Sequence, residues 1–262
     1  MAAQRRRILV CTIDGPTQCI ADGNYLAALW ALASPRPQWA AIPVGMMVAI
    51  KPNFAVWPAL LFLAGHRRLA LASGGIVAIL WALPAVLYGP DIYIQWLSLL
   101  HTHASPNTWA GNSSLYGLLG RLDAPLVGRI LSVALLVAVA VWAWRVRPTF
   151  VRCTVVGISA AMLAAPVAWP GYTLLLWPHL FSEKRSRSRR LIISTLLVVP
   201  FSILSIILHY LPKLHLLTGS IYIVPIVMLM IEYLVGPMPL RNRHGKDIRH
   251  SPFTALTTRR SQ

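Results

Sequence analysis

Charge is scarce in this chain, and acidic charge is scarcest. Of 262 residues only 12% are charged, and seven are Asp or Glu against 24 Lys or Arg. A soluble domain carries about 25% charged residues, so a water-soluble globule is excluded. The three cysteines, Cys11, Cys19 and Cys153, have neither paired nor metal-like spacing. No disulfide framework or zinc site can be read from them. Arg5, Arg6 and Arg7 precede only a short apolar stretch, Ile8 to Ile13, broken by Asp14-Gly15-Pro16. That is too short for a span and poor as a signal peptide. A convincing internal repeat, of the kind transporters carry, is missing as well.

Apolar sequence is plentiful: 56% of residues are hydrophobic and the mean hydropathy is +0.62. This composition predicts an all-α, polytopic transmembrane helix bundle with about eight or nine membrane segments, several short or broken. The segments are 24–33, 39–50, 54–64, 69–88, 126–144, 151–165, 168–181, 191–211 and 214–235. Pro43, Pro52, Pro58, Pro84, Pro166, Pro170 and Pro178 punctuate them. Such breaks are tolerated where neighbouring helices or a wet cavity satisfy the freed backbone groups. Residues 1–23 form an irregular N-terminal segment, 24–235 the helical domain, and 236–262 a basic tail suited to a cytoplasmic surface of anionic lipid.

The net charge of +17 could suggest nucleic acid, but its distribution argues against that partner. Basic residues gather in short connectors: Arg67-Arg68, then Arg145, Arg147 and Arg152, then Lys184 to Arg190, then the tail from Arg241. The intervening connectors are nearly free of Lys and Arg, and the alternation puts the basic set in the cytoplasm. Lys51 then faces the extracytoplasmic side, provided 39–50 and 54–64 are separate passes. A single kinked span from 39 to 64 would invert everything upstream; two passes are preferred, because Pro52 and a lysine make a poor span centre. Parity also requires segment 24–33 to begin outside, although three arginines precede it. Upstream helices are therefore expected to be absent from this sequence.

Lys51 is the only charged residue between Arg36 and Arg67. An ammonium costs several kcal/mol in hydrocarbon, so such a group is a functional candidate; snorkelling to the interface is the plain alternative. The long polar loop, 89–125, contains Tyr93, Trp96, Trp109 and Tyr116, which read either as interfacial anchors or as a sugar-stacking surface. Ile92 to Leu100 suits a helix lying along the membrane surface. His101 and His103 lack a third ligand, and solvated loop histidines are the plainer reading. Asn112-Ser-Ser114 matches a glycosylation sequon, a weak signal. Of the carboxylates, Asp22 reads as a helix N-cap, Asp91 as a turn residue and Glu232 as a structural pairing partner. None is assigned as a base.

Several stretches together resemble glycosyltransferase family 87, membrane enzymes of the GT-C type. Asp22-Gly23-Asn24 looks like the family's Gly-Gln-x-Asn helix start, with Asn24 on its asparagine. Ala49-Ile50-Lys51-Pro52 looks like its Leu-Lys-Pro motif. Asn112-Ser-Ser114-Leu-Tyr116-Gly-Leu-Leu-Gly-Arg121-Leu resembles its Asn-Gln-Ser-Leu-x-Gly-Leu-x-x-Arg-Leu stretch, the most specific of the set. Ala165-Pro166-Val-Ala-Trp169 is similar to its Ser-Pro-x-x-Trp. The similarity covers roughly residues 20–182, in order. The family's catalytic aspartate, in the first extracytoplasmic loop, has no match here. Pro170-Gly171-Tyr172 stands where many members carry histidines or an Asp-Tyr pair.

The resemblance implies hexosyl transfer, of mannosyl type, from a polyprenyl-phosphate sugar to an extracytoplasmic glycan or glycolipid, by a multi-pass protein of the cell membrane. No cofactor is implied beyond that donor. It makes Lys51, Asn53, Asn24, Asn112, Ser114, Tyr116, Arg121, Trp169 and Tyr172 candidates for binding the lipid phosphate or sugar. Lys51 leads for the phosphate, and Arg121 and Arg129 read either as phosphate contacts or as interfacial anchors. A catalytically silent fragment of such an enzyme and a lipid-phosphate-handling scaffold are the competing readings.

Overall fold

A computed structural model of the chain describes residues 27, 37–102, 111–176, 179, 187–198, 201–211 and 215–236. Among these residues the fold is helical, with no strand. Helices are α1 (Ala41–Ile50), α2 (Val56–Leu63), α3 (Arg67–Tyr88), α4 (Asp91–Thr102), α5 (Leu115–Gly120), α6 (Pro125–Val146), α7 (Phe150–Ala164), α8 (Arg187–Val198), α9 (Phe201–Tyr210) and α10 (His215–Val235). Tighter 3-10 turns cover Pro37–Ala40, Pro52–Ala55 and Pro170–Leu176. Apart from Ala27, the expected segment 24–33, with Asn24, lies outside the described residues, as does His103.

Helix α7 is the bundle's axis. Nearly every side chain from Arg152 to Leu163 is buried, because α2, α6 and α10 pack around it. Trp57 of α2 is fully buried and donates its indole N–H to Thr154 Oγ1 at 3.0 Å. Gly157 lets α2 approach: a Cβ there would stand 3.0 Å from Trp57 Cα. By contrast, α3 and α6 are apolar, 22 residues each and mostly exposed. At about 1.5 Å per residue each is ~33 Å long, enough for the ~30 Å hydrocarbon core of a bilayer. Two helices therefore meet the length and apolarity needed to cross a membrane. Their uncovered surface, with Ile79, Leu83, Val86, Ile130, Val133 and Val137 exposed, distinguishes them from the core helices of a soluble protein.

The sequence predicts two opposed segments flanking Lys51, and local geometry makes them opposed. Helix α1 runs alongside α3 in the same direction: Gly45 faces Ser73 and Ile76, and Ala49 O accepts from Trp81 Nε1 at 3.0 Å. Helix α2 then returns and ends in a Schellman turn. Gly65 takes φ +98°, its N–H bonds Phe62 O, and the His66 N–H bonds Leu61 O. Glycine is the residue that adopts this left-handed position without strain.

Among the described residues, two of the basic connectors and the end of α10 lie at one end of the bundle. His66 donates from Nε2 to Pro148 O at 3.2 Å and sits edge-on to Phe150, joining the Arg67-Arg68 connector to the one holding Arg145 and Arg147. The buried Arg152 donates to the carbonyls of Tyr233 (2.8 Å), Leu234 (3.2 Å) and Gly236 (3.1 Å). It thereby closes the C-terminus of α10, whose last carbonyls otherwise lack partners, and brings the end of α10 to the same side.

Two segments differ from the expected pattern. Residues 168–181 do not form an apolar α-helix through their described part; Pro170–Leu176 is a 3-10 turn, ~14 Å at about 2.0 Å per residue and too short to span. The described parts of the run 191–211 are α8 and α9; residues 199–200 between them lie outside the described residues. In the polar stretch 89–125, α4 covers the helix expected over Ile92 to Leu100, whereas α5 was not expected.

A candidate functional site at the end opposite the basic connectors

Two prolines build this end. Pro52 disfavours helical backbone at Lys51, so Lys51 is extended (φ −136°, ψ 93°) and α1 stops at Ile50. Pro166 acts in the same way on Ala165 (φ −63°, ψ 147°), ending α7 at Ala164. Each helix thus delivers its chain into an irregular segment at the same end of the bundle.

Lys51 and Tyr172 meet there. The Lys51 ammonium lies 3.6 Å from the centroid of the Tyr172 ring, a cation–π contact worth ~0.5–2 kcal/mol according to its exposure. Tyr172 is buried, and Phe54 supports its ring edge-on at 5.9 Å. Its backbone N–H bonds Trp169 O at 3.0 Å, closing the turn that begins Pro170–Leu176. Lys51 itself is half-buried, as are Asn53 beside it and Trp169, which packs against the core.

Asn112 joins the second part of the cluster to the first. It is fully buried. Its Nδ2 donates to Pro166 O at 2.8 Å, while its Oδ1 accepts from Ala168 N at 3.0 Å and from Ser114 N at 3.2 Å. Ser113 N donates to Ala168 O at 2.9 Å. Arg121, also buried, donates from Nη1 to Asn112 O at 2.9 Å; its burial lowers the guanidinium pKa from the usual value. Ser114 caps α5, its Oγ accepting from Gly117 N at 3.0 Å. Gly117 is required, since a Cβ there would come within 2.4 Å of Asn112 Cγ.

The stretches 51–54, 112–121 and 165–172 therefore converge, with Ala168 and Tyr172 as the junctions. Four residue steps separate those junctions, a reach of at most ~14 Å. Among the candidates, Lys51 and Tyr172 touch, and Asn53 and Trp169 flank them. Asn112, Ser114 and Arg121 bond the protein's own backbone. The burial of Asn112 also removes it as a glycan acceptor in the folded chain. Tyr116 faces Arg129 on α6 instead, accepting from its Nη2 at 3.1 Å. The sequence singled out these residues, but nothing in their local pattern marked the Asn112 side chain as a backbone latch. Phe54 went unnoticed, although its position three residues after Lys51 in a 3-10 turn, where i and i+3 eclipse, signals a shared face.

Chemically, the cluster offers one cation held on an aromatic face, at the end of a helical bundle carrying two membrane-length apolar helices. That is the class of a helical protein with two helices suited to a membrane. The model of glycosyltransferase family 87 matches residues 23–178, spanning all three converging stretches. The chain belongs to glycosyltransferase family 87, a family of membrane glycosyltransferases. Neither the curated proteins nor the solved structures give a match.

Proposed function

We propose that this chain takes part in hexosyl transfer, of mannosyl type, from a polyprenyl-phosphate sugar to a glycan or glycolipid at the outer face of the cell membrane. In this reading the chain crosses the membrane several times, and the basic connectors are cytoplasmic. The observation that carries it is the Lys51 ammonium seated on Tyr172 at the opposite end. In the transfer, the bond from sugar C1 to the phosphate oxygen breaks and its electron pair leaves with the polyprenyl phosphate. A new C1–O bond forms to the acceptor hydroxyl, whose proton passes to a base. Cationic groups favour this step by stabilising charge on the departing phosphate.

Magnitudes favour the phosphate as Lys51's ligand. A phosphate charge 4 Å from the ammonium gains ~4 kcal/mol at an effective dielectric of about 20, above the ~0.5–2 kcal/mol of the aromatic contact. Tyr172 thus serves as a seat that steadies the ammonium. Asn53 and Trp169 line the same place and suit the sugar, Trp169 through its apolar face. Asn112, Ser114 and Arg121 act one step back, by fixing segment 165–172. Asp91, in the first turn of α4, and Asp123, in the turn before α6, occupy structural positions, and neither is given the base's role.

The test is photolabelling of the full chain in nanodiscs with a diazirine-bearing polyprenyl-phosphate mannose. Label is expected on peptides containing Lys51–Phe54 or Ala165–Tyr172, competed by unlabelled donor. Label confined to other peptides, or insensitive to competitor, would sink the assignment.

A further inference from the structure

Helix α6 carries a second cation of unusual setting. Arg129 lies one turn inside its N-terminal end, exposed on a surface where Leu126, Val127, Ile130 and Val133 are exposed too. From Ile130 to Trp144 the helix has no charged residue, and Arg145 follows. The Cα atoms of Arg129 and Arg145 are ~24 Å apart at about 1.5 Å per residue. With both side chains reaching outward, the two guanidinium groups bracket the ~30 Å hydrocarbon core. Arg129 then marks the headgroup boundary at the Lys51 end, and Arg145 the boundary at the basic end.

Arg129 does not simply reach into water. Its guanidinium lies 5.2 Å over the ring of Tyr116, and Nη2 donates to Tyr116 Oη at 3.1 Å. The backbone is arranged for this contact. Gly128, the preceding residue, lets α5 sit flush on α6: a Cβ there would stand 2.9 Å from Tyr116 Cα and 3.1 Å from Leu115 O. A guanidinium offers five N–H donors in a planar fork, and among the described residues Tyr116 supplies its one hydrogen-bond acceptor. An interfacial anchor needs no such bracing; a fork held in one plane at phosphate depth is organised for bidentate recognition of an oxyanion.

We propose that Arg129, braced by Tyr116, is a binding site for a lipid phosphate group at the extracytoplasmic headgroup level, separate from the Lys51–Tyr172 cluster. The inference rests on the membrane reading of α6 and not on sugar transfer. The phosphate can belong to a bilayer phospholipid or to the polyprenyl phosphate before it enters the cluster. Both present the same group to the fork.

Native mass spectrometry of the delipidated full chain decides it, with phosphatidylglycerol, undecaprenyl phosphate and diacylglycerol each added in turn. The wild-type chain is expected to retain a phosphate lipid, about tenfold more weakly in Arg129→Ala, as the loss of hydrogen bonds to a charged group implies. Arg129→Lys and Tyr116→Leu should weaken retention less, and diacylglycerol binding should be equal in all variants. Weakening confined to phosphatidylglycerol identifies the ligand as a bilayer lipid; weakening of undecaprenyl phosphate identifies it as the donor's carrier. Equal retention of both phosphate lipids by wild type and Arg129→Ala would overturn the site. Lys51→Ala separates it from the proposed transfer site: the loss caused by Arg129→Ala should be as large on the Lys51→Ala background as on wild type, and its disappearance there would overturn a separate site.

Discussion

Replacing Asn112 by alanine tests the architecture of the candidate site without reference to any ligand. The substitution removes one donor and one acceptor that between them hold Pro166 O, Ala168 N and Ser114 N. Ala168 and Ser114 are buried, so their N–H groups lose partners where water cannot readily replace them. A buried donor left unsatisfied costs ~1–3 kcal/mol, and the two together give about 3–5 kcal/mol once the small cavity is included. Ordinary hydrogen bonds inside membranes average only ~0.6 kcal/mol each, which would give less than ~2 kcal/mol for all three. The two accounts therefore differ measurably. For a chain of this size 1 kcal/mol moves the melting midpoint by about 2–4 °C, so Asn112→Ala should lower Tm by roughly 6–20 °C in a detergent-solubilised thermal unfolding assay. Hydrogen exchange should rise at residues 166–172 before it rises in α7. A midpoint within about 2 °C of wild type, with no change in exchange at 166–172, would refute the latch.

Further outcomes follow from the same packing. Gly117→Ala forces a methyl to within 2.4 Å of Asn112 Cγ and should destabilise about as much as Asn112→Ala. The double variant should remain less stable than Asn112→Ala alone, because Asn112→Ala keeps the Cβ that stands 2.6 Å from the added methyl. It should nevertheless fall short of the summed losses, because the contacts with Cγ and Nδ2 are gone; fully additive midpoints would contradict this. Gly45→Leu pushes α1 from α3, since its Cβ would meet Ile76 Cβ at 2.7 Å and Ser73 O at 2.8 Å. It should cost ~1–3 kcal/mol, read as a lower Tm, with Ile76→Ala giving only partial rescue because the Ser73 carbonyl remains. Arg152→Met leaves the carbonyls of Tyr233, Leu234 and Gly236 without their donor. Faster amide exchange over the last turn of α10 is expected, and unchanged exchange there would show that the cap contributes nothing.

Much of this organisation was legible from local chemistry. Pro52 and Pro166 announce that Lys51 and Ala165 leave their helices, and both do. The basic connectors at 67–68 and 145–152 were grouped by charge alone, and His66 and Arg152 bring them to one end together with the end of α10. The Lys51, Asn112 and Pro166 stretches were read as related through their resemblance to one family, and the family model covers all of them. What the sequence could not display is pairing across distance. The bond from Asn112 to Pro166 spans 54 residues, and the seat of Lys51 on Tyr172 spans more than twice that. No periodicity encodes either. The same limit explains segment 168–181: its hydropathy suits a span, but Pro170 and the contacts of Trp169 and Tyr172 commit it to a tight turn.

The central claim is that Lys51 holds the phosphate of a polyprenyl-phosphate sugar, and transfer kinetics of Lys51→Met address it most directly. The ~4 kcal/mol of charge attraction, discounted for the half-exposed position, leaves about 2–3 kcal/mol. At about 1.4 kcal/mol per tenfold, kcat/KM for transfer of radiolabelled hexose should fall roughly 30- to 150-fold in Lys51→Met, and less in Lys51→Arg. Transfer by Lys51→Met at the wild-type rate would contradict the account.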